Sequence, residues 1–275
     1  MIDICITTYR NAEKLKLCLS TLVERTKFVD YKIYILANDP NDEVKKIIHD
    51  AMYIDGILFN DRIIPIFNDN NDGSFSSNNN ILTEEGDGKY ILFLNDDTMP
   101  LRDDWLLNML KILESNEKIG VVGSLLLYPD QKTIQHCGVF FSNRTNNLPY
   151  HMYYRQTISD VGNFVSQYRY YQAITGACML VRREDFINIG GFSLNYFYMY
   201  EDIQLCLDIK AKLNKNCIYC PESILVHDEG ISKDGRLNSK FKENIDIFKK
   251  QCTGLYYNDL EFYLSNSNHM IYKGK

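Results

Sequence analysis

Several features are missing from these 275 residues, and each absence removes a class of protein. No stretch approaches the roughly 18 consecutive apolar residues of a membrane-spanning helix, so contact with a membrane is expected to be peripheral at most. The opening "MIDICITTYR" carries Asp3 inside its apolar stretch and has no basic leader, unlike a secretory signal. An excess of positive charge is also missing. Thirty basic against thirty-six acidic residues give a net charge of −6, which argues against nucleic acid or an anionic membrane surface as the main partner. The eight cysteines follow no disulfide-framework spacing. Cys5, Cys18, Cys137, Cys178 and Cys206 sit among apolar neighbours, as small buried residues of a reducing, cytoplasmic compartment do. Cys217 and Cys220 form a CxxC, but no second Cys or His pair nearby completes four ligands, so they read as two strand residues near a turn. No low-complexity linker and no internal repeat divides the chain. It reads as one domain, compatible with a homodimer.

What is present is alternation. Residues 2–8 ("IDICITT"), 31–39 ("YKIYILAND"), 62–68 ("RIIPIFN") and 89–95 ("KYILFLN") have strand character. Between them lie helical patterns, such as Leu15, Cys18, Leu19 and Leu22 on one face. A further helix over 103–114 puts Leu106, Leu110 and Leu113 on one stripe. Strands alternating with helices predict a Rossmann-like, mostly parallel sheet with helices on both faces, whose ligands bind at the carboxyl ends of the strands. In the second half, "IGVVGSLLLYP" and "TIQHCGVFF" read as a strand pair and residues 142–170 as a long surface excursion. Residues 202–213 read as a helix, and "NCIYCPESILVH" as strand material ending at His227. The expected division is a strand–helix half (1–100), a second part with a small antiparallel subsheet (101–236) and a helical, aromatic tail (237–275).

Three strand ends are polar: Thr7 to Arg10, Asn38 and Asp39, and Asn95, Asp96 and Asp97. The last trio follows Tyr90 to Leu94, a run without polar alternation that a central parallel strand would bury on both faces. Three oxygen-bearing side chains there are either a turn and helix cap or a cation site. Asp103 and Asp104 already stand at the start of the next helix, which leaves the trio without a capping duty. Composition and position alone leave both readings open.

In order along the chain, "ICITTYRN", "ILAND", "NDGSFSSNN", "LFLNDDTMP", "TGACMLVRREDFINIGGF", "YEDIQLCLDI" and "HDEGIS" resemble the motif series of family 2 glycosyltransferases of the GT-A fold, nearly end to end. The ending "LYYNDLEFY" is similar to that of bacterial polysaccharide-building members. The resemblance implies that Thr7, Thr8, Tyr9, Arg10, Asn38 and Asp39 hold the base and ribose of a nucleotide. Asn71, Gly73, Asn78 and Asn79 match positions that lie against the nucleotide-sugar. The trio matches the family's Asp-x-Asp motif, with Asn95 at a place often held by Asp. Asp97 then contacts the metal, with Asn95 and Asp96 nearer the sugar and ribose. His227 matches the distal metal or diphosphate ligand, and Ser232 and Lys233 a loop that closes over the diphosphate. Glu201 and Asp202 match the pair that supplies the general base. Asp202 is expected as the base with Glu201 orienting it, although an acid before a helix is also a common cap. Gln204 and Asp208 depart from residues common in relatives, which bears on acceptor identity. Gly176 and Ala177 match the acceptor-side strand, where small residues leave room for a sugar. His136 and His151 match acceptor-side positions of polysaccharide-type relatives.

The resemblance therefore implies an inverting glycosyltransferase. The donor is a nucleotide-diphosphate sugar (a UDP-sugar as first choice), the acceptor a glycan or lipid-linked glycan, and the cofactor Mn2+ or Mg2+. A nucleotidyltransferase would need a glycine-rich, basic N-terminal loop, whereas "TTYRNAEKL" offers Arg10 and Lys14 and no glycine. A non-catalytic sugar-binding relative should lack Asp97 or Asp202, and both are here.

Overall fold

The computed structural model describes residues 1–54, 57–58, 60–69, 74–229 and 235–265. The first half follows the predicted alternation. It comprises β1 (Ile2–Thr8), α1 (Ala12–Arg25), β2 (Tyr31–Asn38), α2 (Asp42–Met52), a two-rung ladder of β3 (Tyr53–Ile54) and β4 (Ile57–Leu58), β5 (Ile63–Asn68), α3 (Phe75–Glu85) and β6 (Tyr90–Asn95). The stripe Leu15, Cys18, Leu19 and Leu22 of α1 is buried. Two helices start at side-chain caps: Asn41 accepts from Val44 N–H at 3.0 Å, and Ser74 accepts from Ser77 N–H at 3.3 Å.

The second half adds β7 (Thr98–Pro100), α4 (Trp105–Ser115), β8 (Ile119–Leu127), β9 (Ile134–His136), β10 (Val139–Phe141), β11 (Pro149–His151), α5 (Ile158–Val161) and β12 (Arg169–Tyr171). It continues with β13 (Cys178–Arg182), α6 (Arg183–Ile189), α7 (Glu201–Leu213), β14 (Asn216–His227), α8 (Gly235–Cys252) and α9 (Leu260–Leu264). Ten strands form one sheet in the order β12-β14-β8-β13-β6-β1-β2-β5, with β7 also on β14 and β9 on β8. β5, β2, β1 and β6 are mutually parallel, as are β8 and β14. β13 runs against β6 and β8, between the two parallel sets. Along β6, Leu92 and Leu94 enter one apolar core while Ile91 and Phe93 enter the other. Burial on both faces is what the run without polar alternation implied.

β14 fixes where the site forms. An irregularity between Cys220 and Ile224 interrupts its pairing with β8, and beyond it the strand also pairs with β7, His227 opposite Thr98. Asp228 N–H then donates to the Asp97 carbonyl at 3.0 Å. The end of β14 is thereby held against the turn that follows β6.

Three expectations are corrected. Residues 142–170 are not only a surface excursion. They include β11, which pairs with β10, and buried Met152, Phe164 and Arg169, whose guanidinium carbon lies 3.7 Å from the centre of the Phe164 ring. "TIQHCGVFF" is not one strand. It breaks at Gly138, whose φ of +116° favours glycine, so that β9 joins the large sheet while β10 forms a separate hairpin. Asp104 holds the cap position of α4 but makes no side-chain cap bond. It pairs instead with Arg102 at 3.0 Å, and Asp103 with Arg25 and Lys27 at 3.2 and 2.8 Å. The cysteines of the CxxC lie in β14 as free, buried thiols.

Candidate active site

A cleft of about 740 Å³ opens beside the carboxyl ends of β6 and β14, lined in part by Asn95, Asp97, His227, Gly176, Glu201 and Asp202. Residues from four motifs, spread between Asn95 and His227, thus share one cavity.

On one side of it, the turn after β6 carries the acidic trio. Asp97 Oδ1 is buried and has no hydrogen-bond donor, yet it lies 3.0 Å from Nε2 of His227. Asn95 Nδ2 is 3.2 Å from the same nitrogen. An imidazole nitrogen beside an orphaned carboxylate oxygen is a donor set that suits a divalent cation. Among the described residues no group of three or more acidic, His or Cys side chains converges there. Lys14 of α1 reaches in as well. Its Nζ donates to the Asp228 carbonyl and stands 3.3 Å from the Asp228 carboxylate and 3.9 Å from Asp97. Asp96 turns the other way and accepts from Thr8 Oγ1 at 2.5 Å. Burial, then the Asp97 charge, pushes the Asp96 carboxyl up to about 7, against the pull of the Thr8 hydroxyl.

On the other side, Tyr200 holds the position before α7 in the left-handed region, and Glu201 and Asp202 are the first two residues of that helix. Asp202 Oδ2 accepts from Gly176 N–H and Oδ1 from Ile203 N–H, each at 2.7 Å. Burial raises the Asp202 pKa, opposed chiefly by these two N–H groups. Glu201 is pushed up to about 8 by burial and then by the Asp202 charge, and its Oε2 has no partner. Two N–H donors thus favour the carboxylate of Asp202, while burial and the Asp202 charge favour the protonated form of Glu201. A side chain at Gly176 would meet Asp202 Cβ at 3.1 Å and the Phe75 ring at 3.3 Å. Its smallness makes room for Asp202 beside the cleft that both residues line. Ala177 accepts from Asn95 N–H at 3.1 Å and joins the two sides.

His151 lines the cleft, whereas His136 is fully buried behind it. Their Nδ1 atoms are 2.8 Å apart, and His136 Nε2 accepts from Gly138 N–H at 3.3 Å. Since a backbone N–H can only donate, His136 must carry its proton on Nδ1 and give it to His151 Nδ1. This leaves Nε2–H as the free donor of His151. Burial lowers both pKa values, that of His151 to about 4, so the pair is neutral. His136 acts at one remove.

The nucleotide-side residues are more dispersed. Thr7 and Thr8 end β1, and Asn38, which ends β2, accepts from Asn68 at 3.3 Å. Arg10 and Asp39 pair with one another at the ends of β1 and β2, and Arg10 lies over Tyr9. None of these lines the cleft. In α3, Asn79 donates to the Phe75 carbonyl at 3.0 Å, while Asn78 is buried with Oδ1 unpartnered. Asn71, Gly73, Ser232 and Lys233 lie outside the described residues.

Sequence reasoning gave no role in the site to Gln135, Glu229 or Tyr154, which line the cleft, and saw in Lys14 only a basic residue. Lys14 carried a signal: it is the third residue of α1, where a cation opposes the helix dipole.

A sheet of this order, with a carboxylate–histidine pair and a buried acidic pair in one cleft, defines the GT-A class of glycosyltransferase architecture. The chain belongs to glycosyl transferase family 2, whose model matches residues 3–190. Over 259 residues it is 24% identical to the uncharacterized protein y4gI of Sinorhizobium fredii, covering 91% of this chain and 27% of that protein. It is 28% identical to the O-antigen biosynthesis protein RfbC of Myxococcus xanthus, over 56% of this chain and 12% of that one. The rhamnosyltransferase WbbL of Escherichia coli K12 is 30% identical, over 48% of this chain and 53% of its own. The chain thus spans about half or less of the length of these relatives. Its fold is similar to that of the mannosyltransferase PcManGT of Pyrobaculum calidifontis in complex with GDP-Man and Mn2+ (TM-score 0.63, 13% identity, 97% of this chain and 68% of that one). It is also similar to GalNAc-T7 with UDP, GalNAc and Mn2+ (TM-score 0.64, 12% identity, 84% and 44%).

Proposed function

We propose that this chain is an inverting glycosyltransferase that moves a sugar from a nucleotide-diphosphate donor, a UDP-sugar in the first instance, to a hydroxyl of a glycan or lipid-linked glycan. The observation that carries the reading is the cleft itself, in which the Asp202 carboxylate and the Asp97–His227 pair open onto one cavity. The first is a base for an acceptor and the second a cradle for a diphosphate. The relative named for O-antigen biosynthesis supports a polysaccharide acceptor, and the Mn2+ complexes of the structural neighbours support a divalent cation.

Asp202 takes the proton of the acceptor hydroxyl as its oxygen attacks the anomeric carbon. The bond from that carbon to the phosphate oxygen breaks, and the nucleoside diphosphate leaves from the opposite face. One displacement inverts the centre. Asp97 and His227 would hold the cation, which when bound offsets the charge growing on the leaving diphosphate. Lys14 stands close enough to Asp97 to add a second positive charge. His151 offers an N–H to an acceptor oxygen, and Glu201, still protonated, adds no charge beside the base.

A thermal-shift panel of UDP-, GDP- and dTDP-sugars, with Mn2+ and with chelator, tests the donor half, because a ligand that binds the native state raises its melting temperature. A cation-dependent rise with one nucleotide class is the expected result. No rise with any of them would overturn the reading.

A further inference from the structure

The metal-side histidine is gripped by two residues that the reaction itself does not need. Gln135, on β9 and only 4% exposed, brings Oε1 to 2.5 Å from Nδ1 of His227. The other end of the same amide, Nε2, donates to Glu229 Oε2 at 3.0 Å. This chain of three side chains admits one arrangement of protons. A carboxylate accepts and an amide nitrogen donates, so Glu229 orients the amide with its nitrogen outward and its oxygen toward the imidazole. An amide oxygen only accepts, so His227 must carry a proton on Nδ1.

The opposite nitrogen, Nε2, faces Asp97 Oδ1 at 3.0 Å and Asn95 Nδ2 at 3.2 Å. The Asn95 amide can donate to a bare Nε2, and Asp97 Oδ1 has no donor of its own. In the neutral ring, a proton on Nδ1 leaves Nε2 with a lone pair that faces the Asp97 carboxylate oxygen.

We propose that Gln135, oriented by Glu229, is a positioning residue that fixes His227 in its Nδ1–H tautomer and keeps Nε2 as an electron-pair donor to a divalent cation. The inference rests on the metal-assisted reading given above. It adds that affinity for the cation is set partly by a β9 residue and a carboxylate two positions beyond His227, neither of which touches the ion. Outer partners of this kind orient a ligating imidazole and raise its basicity.

The test has two readouts that do not require sugar transfer. In the first, two-bond 1H–15N NMR of the metal-free protein at pH 8 reports which ring nitrogen of His227 is protonated. Its signal among the five histidines is assigned with His227→Ala. In the second, calorimetry measures Mn2+ affinity in the presence of UDP. Wild type should show His227 protonated on Nδ1. Gln135→Leu should shift the proton to Nε2 or mix the tautomers, and weaken Mn2+ by a factor on the order of 10 to 100. Gln135→Glu alone sets two carboxylates together. With Glu229→Gln added, the direction of the amide contact is reversed, residue 135 still accepts from Nδ1–H, and Mn2+ affinity should return to within a few-fold of wild type. This rescue separates positioning from a general packing defect at a buried position, even if Gln135→Leu folds poorly.

A wild-type His227 protonated on Nε2 would overturn the inference, as would wild-type Mn2+ affinity in folded Gln135→Leu. Failure of the wild type to bind Mn2+ at all would sink the metal-assisted reading and this inference together. Normal wild-type binding with an indifferent Gln135→Leu would sink the inference alone.

Discussion

Both oxygens of Asp202 accept backbone N–H groups, Oδ2 from Gly176 and Oδ1 from Ile203. Asp202→Asn therefore places an NH2 against one of those donors and should lower stability by about 1–3 kcal/mol. The same change removes the base, so transfer should fall by a factor on the order of 10² to 10⁴ while donor affinity holds. Near-normal transfer by a folded Asp202→Asn would remove this residue from the mechanism. The base works only when ionised, and burial raises its pKa, so activity should fall with decreasing pH on a limb above the ordinary aspartate value of about 3.9. A pH profile of kcat/KM with the limb at or below that value would contradict it. On the donor side, Asp97→Ala should weaken UDP by about tenfold or more, equivalent to about 1.4 kcal/mol, and abolish the dependence on Mn2+. Equal UDP affinity for wild type and variant, with and without chelator, would refute that role. Asp97, His227 and Asp202 were legible because each lies in a contiguous motif at a strand or helix end. Gln135 and Glu229 were not, because their meaning comes from a contact 94 residues apart in sequence that no local pattern encodes.

At the scale of elements, the same distinction holds. β1, β2 and β6 are apolar runs that the alternation showed as strands, whereas the pairing of β6 with β1, across all the strands between them in the chain, it did not show. β9, β10, β11 and β12 are three residues each, so periodicity had little to act on even where the partner is the neighbouring strand, as for β9 on β8 and β10 on β11. One polar residue inside β1 also gave no hint of its partner. Asp3 is fully buried, lies 2.5 Å from Arg183 of α6 and accepts from Gly88 N–H at 2.7 Å. Arg183 also donates to the carbonyls of Gly88 and Thr83. The pair ties the amino end of β1 to the entry of β6 and to α6, at the opposite end of the strand from Thr8. Asp3→Ala leaves the Arg183 charge without its counter-ion and should cost about 3–5 kcal/mol in urea or thermal unfolding. Because the two side chains are in contact, Arg183→Ala added to Asp3→Ala should cost less than the sum of the single changes. An additive double variant would show that the two act independently.

Over the whole molecule, the family match ends at residue 190, yet Glu201, Asp202 and His227 all lie beyond it. The later part of the chain is therefore integral to the cleft, and its last described segment braces the acceptor side. Asp259 is fully buried. It accepts from Phe141 N–H at 2.8 Å, from the Gln172 amide at 2.6 Å and from the Tyr263 hydroxyl at 3.2 Å. Tyr263 stacks on Tyr171 of β12, and Tyr256 stacks on Phe141 of β10. β10 in turn pairs with β11, Val139 opposite His151. A mechanical path thus runs from the tail through one hairpin to the His151 imidazole in the cleft. Asp259→Ala leaves the Phe141 N–H and one hydrogen of the Gln172 amide, whose other hydrogen bonds the Tyr257 carbonyl, without an acceptor, at about 1–3 kcal/mol each. The loss should fall on the tail and the β10–β11 hairpin first, with the donor side spared. Hydrogen exchange should then quicken at Phe141 and in residues 149–151, and acceptor KM should rise while the Kd for UDP with Mn2+ stays within error. A Kd for UDP that shifts as much as the acceptor KM would mean that the tail supports the whole sheet and not the acceptor side in particular.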